Sequence, residues 1–260
     1  MKTEGRTGEL HWTDTGGDAG RTVLLVHSLG TDSSLWARQV EPFSQVRRVI
    51  TVDLPGHGSS TARDTEYTIE DLGADVLAVA DAAGVERFDY CGISIGGQIG
   101  LWLAVEAPER VETLVAACTA ARIGTSERWQ QRIEAVEEVG MEGLLTTVVA
   151  GWFSPSFGDR DPDSLRSIQQ VFTSVDPVGY TGCCAALRDA DLTSRIAEIS
   201  APTLVVAGEL DVSTPVSEAE LLHEWIRGSR LQVIPGAAHL ANLDRPEEFT
   251  AAVLGAWAEW

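Results

Sequence analysis

The stretch Tyr90-Cys91-Gly92-Ile93-Ser94-Ile95-Gly96-Gly97 decides how the rest of this chain is read. An apolar run arrives at Cys91, glycines bracket Ser94 two places on either side, and an apolar helical pattern leaves from Ile95. The pattern predicts a strand, a sharp turn and a helix, with the Ser94 hydroxyl exposed at the end of the strand. Gly92 and Gly96 have a steric reason to be there. Strand and helix backbones nearly collide at such a turn, so the positions two places from the serine must lack bulk. In a chain with 25 glycines the G-x-S-x-G motif alone is weak. Its neighbours decide the matter.

Outward from this turn the sequence alternates strands and helices. The runs Thr22 to Val26 and Arg48 to Val52 are predominantly apolar, as strands buried on both faces are. Phe88 to Cys91, Glu112 to Cys118, Thr203 to Ala207 and Leu231 to Ile234 extend the set, and a short strand at Glu9 to Thr13 is expected to pair at the edge. Ile69, Leu72, Val76 and Val79 recur at helical spacing behind a capping Thr68 with Asp71 three residues on. Ile95 to Glu106 is apolar nearly all round and stops before Pro108. The last helix carries Phe249, Val253 and Trp257 on one face, with Asp244 expected as its N-cap and Pro246 in its first turn. Alternation of this kind predicts an α/β fold with a mostly parallel, doubly wound sheet.

Residues 123–191 break the alternation. They hold no β-rich run but several helical stretches, Glu127 to Val139, Glu142 to Ala150, Ser164 to Phe172 and Pro177 to Asp189, separated by Pro155, Pro162 and Pro177. The expected organisation is a core of residues 1–122 and 192–260 with a helical cap inserted between them. No internal repeat or low-complexity segment is present.

Composition narrows the function. A length of 260 residues and 44% hydrophobic content suit one substantial domain with an ample core. The net charge of −20, from 19 basic and 39 acidic residues, argues against nucleic acid as a partner. It also repels anionic substrates at long range, so a small acid would need a local cation inside its site. Met1 to Gly20 is polar and lacks the apolar region of a signal peptide, and no apolar run approaches the ~18 residues of a membrane span. A soluble, cytoplasmic protein that does not engage membranes is expected. Cys91, Cys118, Cys183 and Cys184 suggest neither a disulfide framework nor a zinc site and read as buried thiols.

An acyl-transfer serine needs a base, an acid that orients the base, and an oxyanion hole. On a doubly wound sheet the chain order is serine, then Asp or Glu, then histidine. Asp211 follows the Thr203 to Ala207 run after a short loop, and His239 follows the next run, before the last helix. Ser94, Asp211 and His239 therefore stand in the required order, and Glu209 falls too early in its loop to compete. His57 and His27 read as loop-orienting residues, and His11 and His223 as structural. One oxyanion donor is the N–H of Ile95, at the positive end of its helix. The other is expected from the loop His27-Ser28-Leu29-Gly30, at Leu29. This chemistry requires no metal and no organic cofactor.

Beyond the fold, several segments carry a resemblance: His27-Ser28-Leu29-Gly30-Thr31-Asp32, the elbow from Cys91 to Gly97, and Thr119-Ala120-Ala121-Arg122-Ile123-Gly124 with Trp129 soon after. Two more are Gly179 to Leu192, around Cys183 and Cys184, and Ala237-Ala238-His239-Leu240-Ala241-Asn242. With these the chain resembles the α/β-hydrolases and, within them, the 3-oxoadipate enol-lactonases of the β-ketoadipate pathway, over nearly its whole length. The elbow and histidine loop are common to many hydrolases; the cap segment is the specific part. The resemblance implies hydrolysis of a small anionic enol-lactone with an acetate side chain, giving 3-oxoadipate. An enolate leaving group asks less of the acid step than an alkoxide. For the substrate carboxylate Arg122 is the candidate, at the exit of a core strand where cap and core meet, with a surface ion pair as the alternative. Trp129, Trp152, Phe153 and Tyr180 either wall the substrate pocket or pack the cap onto the core.

The triad does not separate this reading from a cap-bearing esterase or perhydrolase, or from a carbon–carbon bond hydrolase. Haloalkane dehalogenases and epoxide hydrolases place a carboxylate where this chain has Ser94. A reading of another class, a non-catalytic receptor on the same fold, would show tight binding with negligible turnover. Oligomeric state is not encoded in any of these features.

Overall fold

The computed structural model describes residues 1–17 and 20–260. Among them eight strands form one sheet in the order β1-β2-β4-β3-β5-β6-β7-β8. The strands are β1 (Lys2–Glu4), β2 (Glu9–Asp14), β3 (Thr22–Val26), β4 (Arg48–Val52), β5 (Phe88–Ile93), β6 (Val111–Ala117), β7 (Thr203–Gly208) and β8 (Arg230–Ile234). From β4 to β8 every neighbouring pair is parallel, while β2 runs antiparallel to both β1 and β4. The expected edge strand at Glu9 is thus not the edge. The three-residue β1 covers it, too short and polar to leave a pattern in the sequence.

The helices are α1 (Ala37–Ser44), α2 (Ile69–Ala82), α3 (Ile95–Glu106), α4 (Ser126–Val149), α5 (Phe157–Arg160), α6 (Pro162–Ser174), α7 (Pro177–Asp189), α8 (Val216–Trp225), α9 (Ala241–Asp244) and α10 (Pro246–Glu259). Thr68 and Asp71 form a reciprocal capping box at the start of α2. Helix α3 is buried on nearly every face, which explains its lack of a polar side. The helices α4 to α7 lie between β6 and β7 in the chain. Helix α4 is two helices joined across a kink at Gly140, whose φ of 68° and ψ of −179° suit only glycine.

Asp244 does not cap the last helix. It ends α9, and Arg245 precedes α10. The carboxylate turns inward because it has buried donors to meet, described below.

The chain order reverses at β3, which is flanked by β4 on one side and β5 on the other. The crevice at the carboxyl ends of strands about such a reversal is where open α/β sheets build their sites. Val26 pairs with Gly92 in register, so the loop after β3 and the elbow after β5 are neighbours. No helix among the described residues is long and apolar enough to cross a membrane.

Candidate active site

Ser94 stands between β5 and α3 with φ 60° and ψ −121°, a conformation that a non-glycine residue rarely adopts. Its surroundings enforce it. A side-chain carbon added to Gly92 would fall 2.2 Å from the Gly96 carbonyl oxygen, and one added to Gly96 would fall 2.3 Å from the Val26 carbonyl oxygen. The end of β6 clamps the serine backbone: the Ser94 N–H donates to the Ala117 carbonyl at 2.9 Å, and the Thr119 hydroxyl donates to the Ser94 carbonyl at 2.8 Å.

Three loops at the same sheet edge bring the remaining groups together. The Ser94 hydroxyl donates to His239 Nε2 at 3.0 Å, and His239 Nδ1–H donates to Asp211 Oδ2 at 2.8 Å. Asp211 also accepts from the Ser213 and Thr214 amides, at 2.7 and 3.0 Å, and from the Thr214 hydroxyl at 2.7 Å. Burial alone would raise its pKa. The charge of His239 and the hydrogen bonds from His239 and Thr214 outweigh that and hold the carboxyl below its ordinary range. A hydroxyl, an imidazole and an ionised carboxylate in this series can move a proton off the serine. Glu209 has a different task, accepting from the Gly236 N–H at 2.7 Å.

Ile95 opens α3 and Leu29 lies on the loop after β3. Among the described residues, neither N–H donates a hydrogen bond within the chain. Two buried histidines shape that loop. His57 Nε2 accepts from the Gly30 N–H at 3.0 Å while its Nδ1–H donates to the Pro55 carbonyl at 2.8 Å. Burial and the neighbouring His27 push the His57 pKa down to about 3, so the ring is neutral and able to accept. His27 accepts from the Leu54 N–H at 2.9 Å, and burial lowers its pKa as well.

A cavity of about 220 Å³ opens over Ser94. Ser28, Leu29, Ser94 and His239 form its floor; Ile123, Arg128, Trp129, Arg132, Thr147, Val148, Gly151, Trp152 and Tyr180 its roof; Val212 and Ser213 its side. Trp129, Trp152 and Tyr180 therefore face the cavity. Arg122 does not. Its guanidinium points out of the β6 exit, bonded to Ser126 and 3.5 Å from Asp191, on the wall of a separate hollow. Phe153 also lies elsewhere, stacked on Phe157 at 4.0 Å between ring centres. A wider groove between α1 and α10, lined by Arg38, Glu41, Glu247 and Thr250 among others, does not include Ser94 or His239.

The charges the sequence reading missed are Arg128 and Arg132. They sit four residues apart in the first turns of α4, on either side of Trp129 along the same wall, and neither is ion-paired among the described residues. Arg132 donates to the Tyr180 hydroxyl at 3.1 Å. Among the described residues no carboxylate lines the cavity, although the chain carries a net charge of −20. The i, i+4 arginine spacing beside a tryptophan was the available signal. All four cysteines are free and buried, and burial raises each thiol pKa. No cluster of metal-ligating side chains occurs among the described residues.

Comparison with known proteins identifies the family. The family profile of the alpha/beta hydrolase fold matches residues 21–246. A 3-oxoadipate enol-lactonase of Acinetobacter baylyi is 38% identical over 92% of this chain and 90% of its own length. The crystal structure of an enol-lactonase from Burkholderia xenovorans LB400 superposes with a TM-score of 0.96 at 35% identity, covering 99% of this chain and 100% of that one. A thermophilic esterase from Thermogutta terrifontis, solved with malate bound, has a TM-score of 0.93 at 27% identity, covering 100% and 98%. The chain belongs to the α/β-hydrolase family, and it is a hydrolase.

Proposed function

We propose that the chain opens the lactone ring of 3-oxoadipate enol-lactone to give 3-oxoadipate, in the β-ketoadipate route of aromatic catabolism, by a serine acyl-enzyme mechanism. The observation that carries this reading is an unpaired arginine pair, Arg128 and Arg132, in a cavity whose floor holds Ser94 hydrogen-bonded to His239. The names of the Acinetobacter and Burkholderia relatives support the choice of lactone.

Each residue has a physical task in this account. His239 Nε2 takes the Ser94 proton as the oxygen attacks the ring carbonyl. Asp211 stays ionised, keeps Nδ1 protonated and stabilises the imidazolium that forms. The Leu29 and Ile95 N–H groups stabilise the tetrahedral oxyanion. The ring oxygen leaves as an enolate, takes a proton and becomes the ketone, while the acyl group stays on Ser94. His239 then activates water against the acyl-enzyme. Arg128 and Arg132 hold the substrate carboxylate, the role first looked for at Arg122. Trp129, Trp152 and Tyr180 wall the ring, with the Tyr180 hydroxyl fixing the Arg132 guanidinium. Residues 123–191 act as a substrate-selecting cap, and a small anionic lactone is the partner; neither metal nor organic cofactor has a step. The cytoplasm is the fitting compartment for such a catabolic enzyme.

Loss of the lactone's ultraviolet absorbance tests the reading, with Ser94→Ala as control. Turnover that disappears in the variant is expected. Turnover that persists would remove Ser94 as nucleophile.

A further inference from the structure

The backbone around His239 is tied on both sides. The Ala238 N–H, just before it, donates to Asp244 Oδ2 at 2.9 Å, and the Leu240 N–H, just after it, donates to the Trp152 carbonyl at 2.9 Å. The same Asp244 carboxylate is fully buried and reaches the other segment. Its Oδ2 accepts from the Ser154 N–H at 2.8 Å and its Oδ1 from the Ser154 hydroxyl at 2.7 Å, with the guanidinium groups of Arg160 and Arg245 also on Oδ1. A buried carboxylate is costly unless its lone pairs are met, and here they are met from two directions. The segment Trp152 to Ser154 is thus fastened at both ends to the peptides that flank the histidine, and the Trp152 side chain lines the Ser94 cavity.

We infer that Asp244 is a positioning residue: it sets His239 against Ser94 by locking the histidine loop to the Trp152–Ser154 segment, so that general base and cavity wall hold one position. This rests on the catalytic roles proposed above for Ser94 and His239. The lock is made by acceptor geometry at Oδ2, which receives two N–H groups at once. An asparagine can present its amide oxygen there, whereas a leucine of similar size presents no acceptor.

The test compares Asp244→Asn with Asp244→Leu in steady-state hydrolysis of the lactone, in the rate at which a fluorophosphonate labels Ser94, and in thermal unfolding. Proton transfer is sensitive to displacements of an ångström, so Asp244→Leu is expected to lower kcat by ~10²-fold with KM changed less than ~3-fold, and to slow labelling by a similar factor. Asp244→Asn keeps most of both rates. A folded Asp244→Leu enzyme with unchanged kcat and labelling overturns the inference, as do equal losses in the two variants. Where the leucine variant does not fold, Asp244→Ser, too short to reach both N–H groups, takes its place under the same criteria. Wild-type enzyme that fluorophosphonate fails to label at Ser94 overturns the catalytic reading itself, whereas labelled wild type beside unaffected variants overturns only the role of Asp244.

Discussion

Ser94 and Gly140 have nearly the same φ, 60° and 68°, in opposite surroundings. Around Ser94 every escape is blocked: carbonyl oxygens crowd Gly92 and Gly96, and the last residue of β6 and Thr119 just beyond it hold the serine peptide at both ends. At the kink of α4 nothing lies within 4 Å of where a Gly140 side chain would start. The strain at Ser94 is imposed by the sheet and places a hydroxyl against a base. The kink at Gly140 lets one helical stretch turn across the roof of the cavity. The comparison separates two kinds of control. The core holds Ser94 against His239 through backbone collisions, and in the proposed function the segment above it sets the choice of substrate through side chains.

The sharpest way to break this division is Ser94→Ala. With the elbow intact, kcat is expected to fall by ~10³-fold or more while the melting temperature holds. A variant that retains activity would mean that another group attacks. Next is a pair of glycine substitutions. Gly96→Ala forces a methyl group onto the Val26 carbonyl and is expected to cost upward of ~3 kcal/mol, read as loss of soluble folded enzyme. Gly140→Ala meets open space and costs only its backbone strain, ~1–3 kcal/mol in denaturant unfolding, with kcat/KM unchanged. Equal damage at both sites would end the distinction.

The arginines test the roof. Losing a hydrogen bond between charged groups costs ~1.5–3 kcal/mol, so Arg132→Gln should raise KM for the carboxylated lactone by ~10- to 100-fold and leave a neutral ester nearly unaffected. Arg122→Ala, remote from the cavity, should change neither. A larger effect at Arg122 would restore it as the carboxylate site.

The smallest expected effect is one of pH. His57 is held neutral in the fold, with its pKa near 3, whereas in the unfolded chain it titrates at its ordinary value of ~6.5. The unfolded state therefore binds more protons between these values, and stability falls as pH falls through that window, by up to ~1.4 kcal/mol per pH unit. Asp75, raised by burial to about 6, works in the opposite sense between pH ~4 and 6. The measurement is consequently a difference: the melting temperature of His57→Gln should decline less steeply below pH 6 than that of the wild type. Parallel curves would contradict the neutral, accepting His57.

The core was legible because its constraints are local in the chain. Apolar runs and the bracketing glycines lie within a few residues of the structure they specify, and Ser94, Asp211 and His239, though 145 residues apart at the extremes, each sit just after a recognisable strand in the order that a doubly wound sheet requires. The core strands and α3 fall where the pattern puts them, to within a residue or two at most ends. What does not show in the sequence depends on contacts across the fold. Arg122 is near the site in sequence, but the β6 exit turns it outward, while Arg128 and Arg132 enter the cavity from one wall of α4. Asp244 matches a helix-cap pattern, yet its partners Ser154 and Arg160 are 90 and 84 residues away. Strand β1 has too few residues to show a period at all.

The most direct single measurement is kcat/KM of the wild-type enzyme for 3-oxoadipate enol-lactone beside the same lactone with its free carboxylate converted to a methyl ester. A kcat/KM above ~10⁴ M⁻¹s⁻¹ for the acid and a preference of at least ~10-fold over the ester are expected. Equal rates, or faster hydrolysis of the ester, would contradict the claim that the roof of this cavity selects an anion for the serine below it.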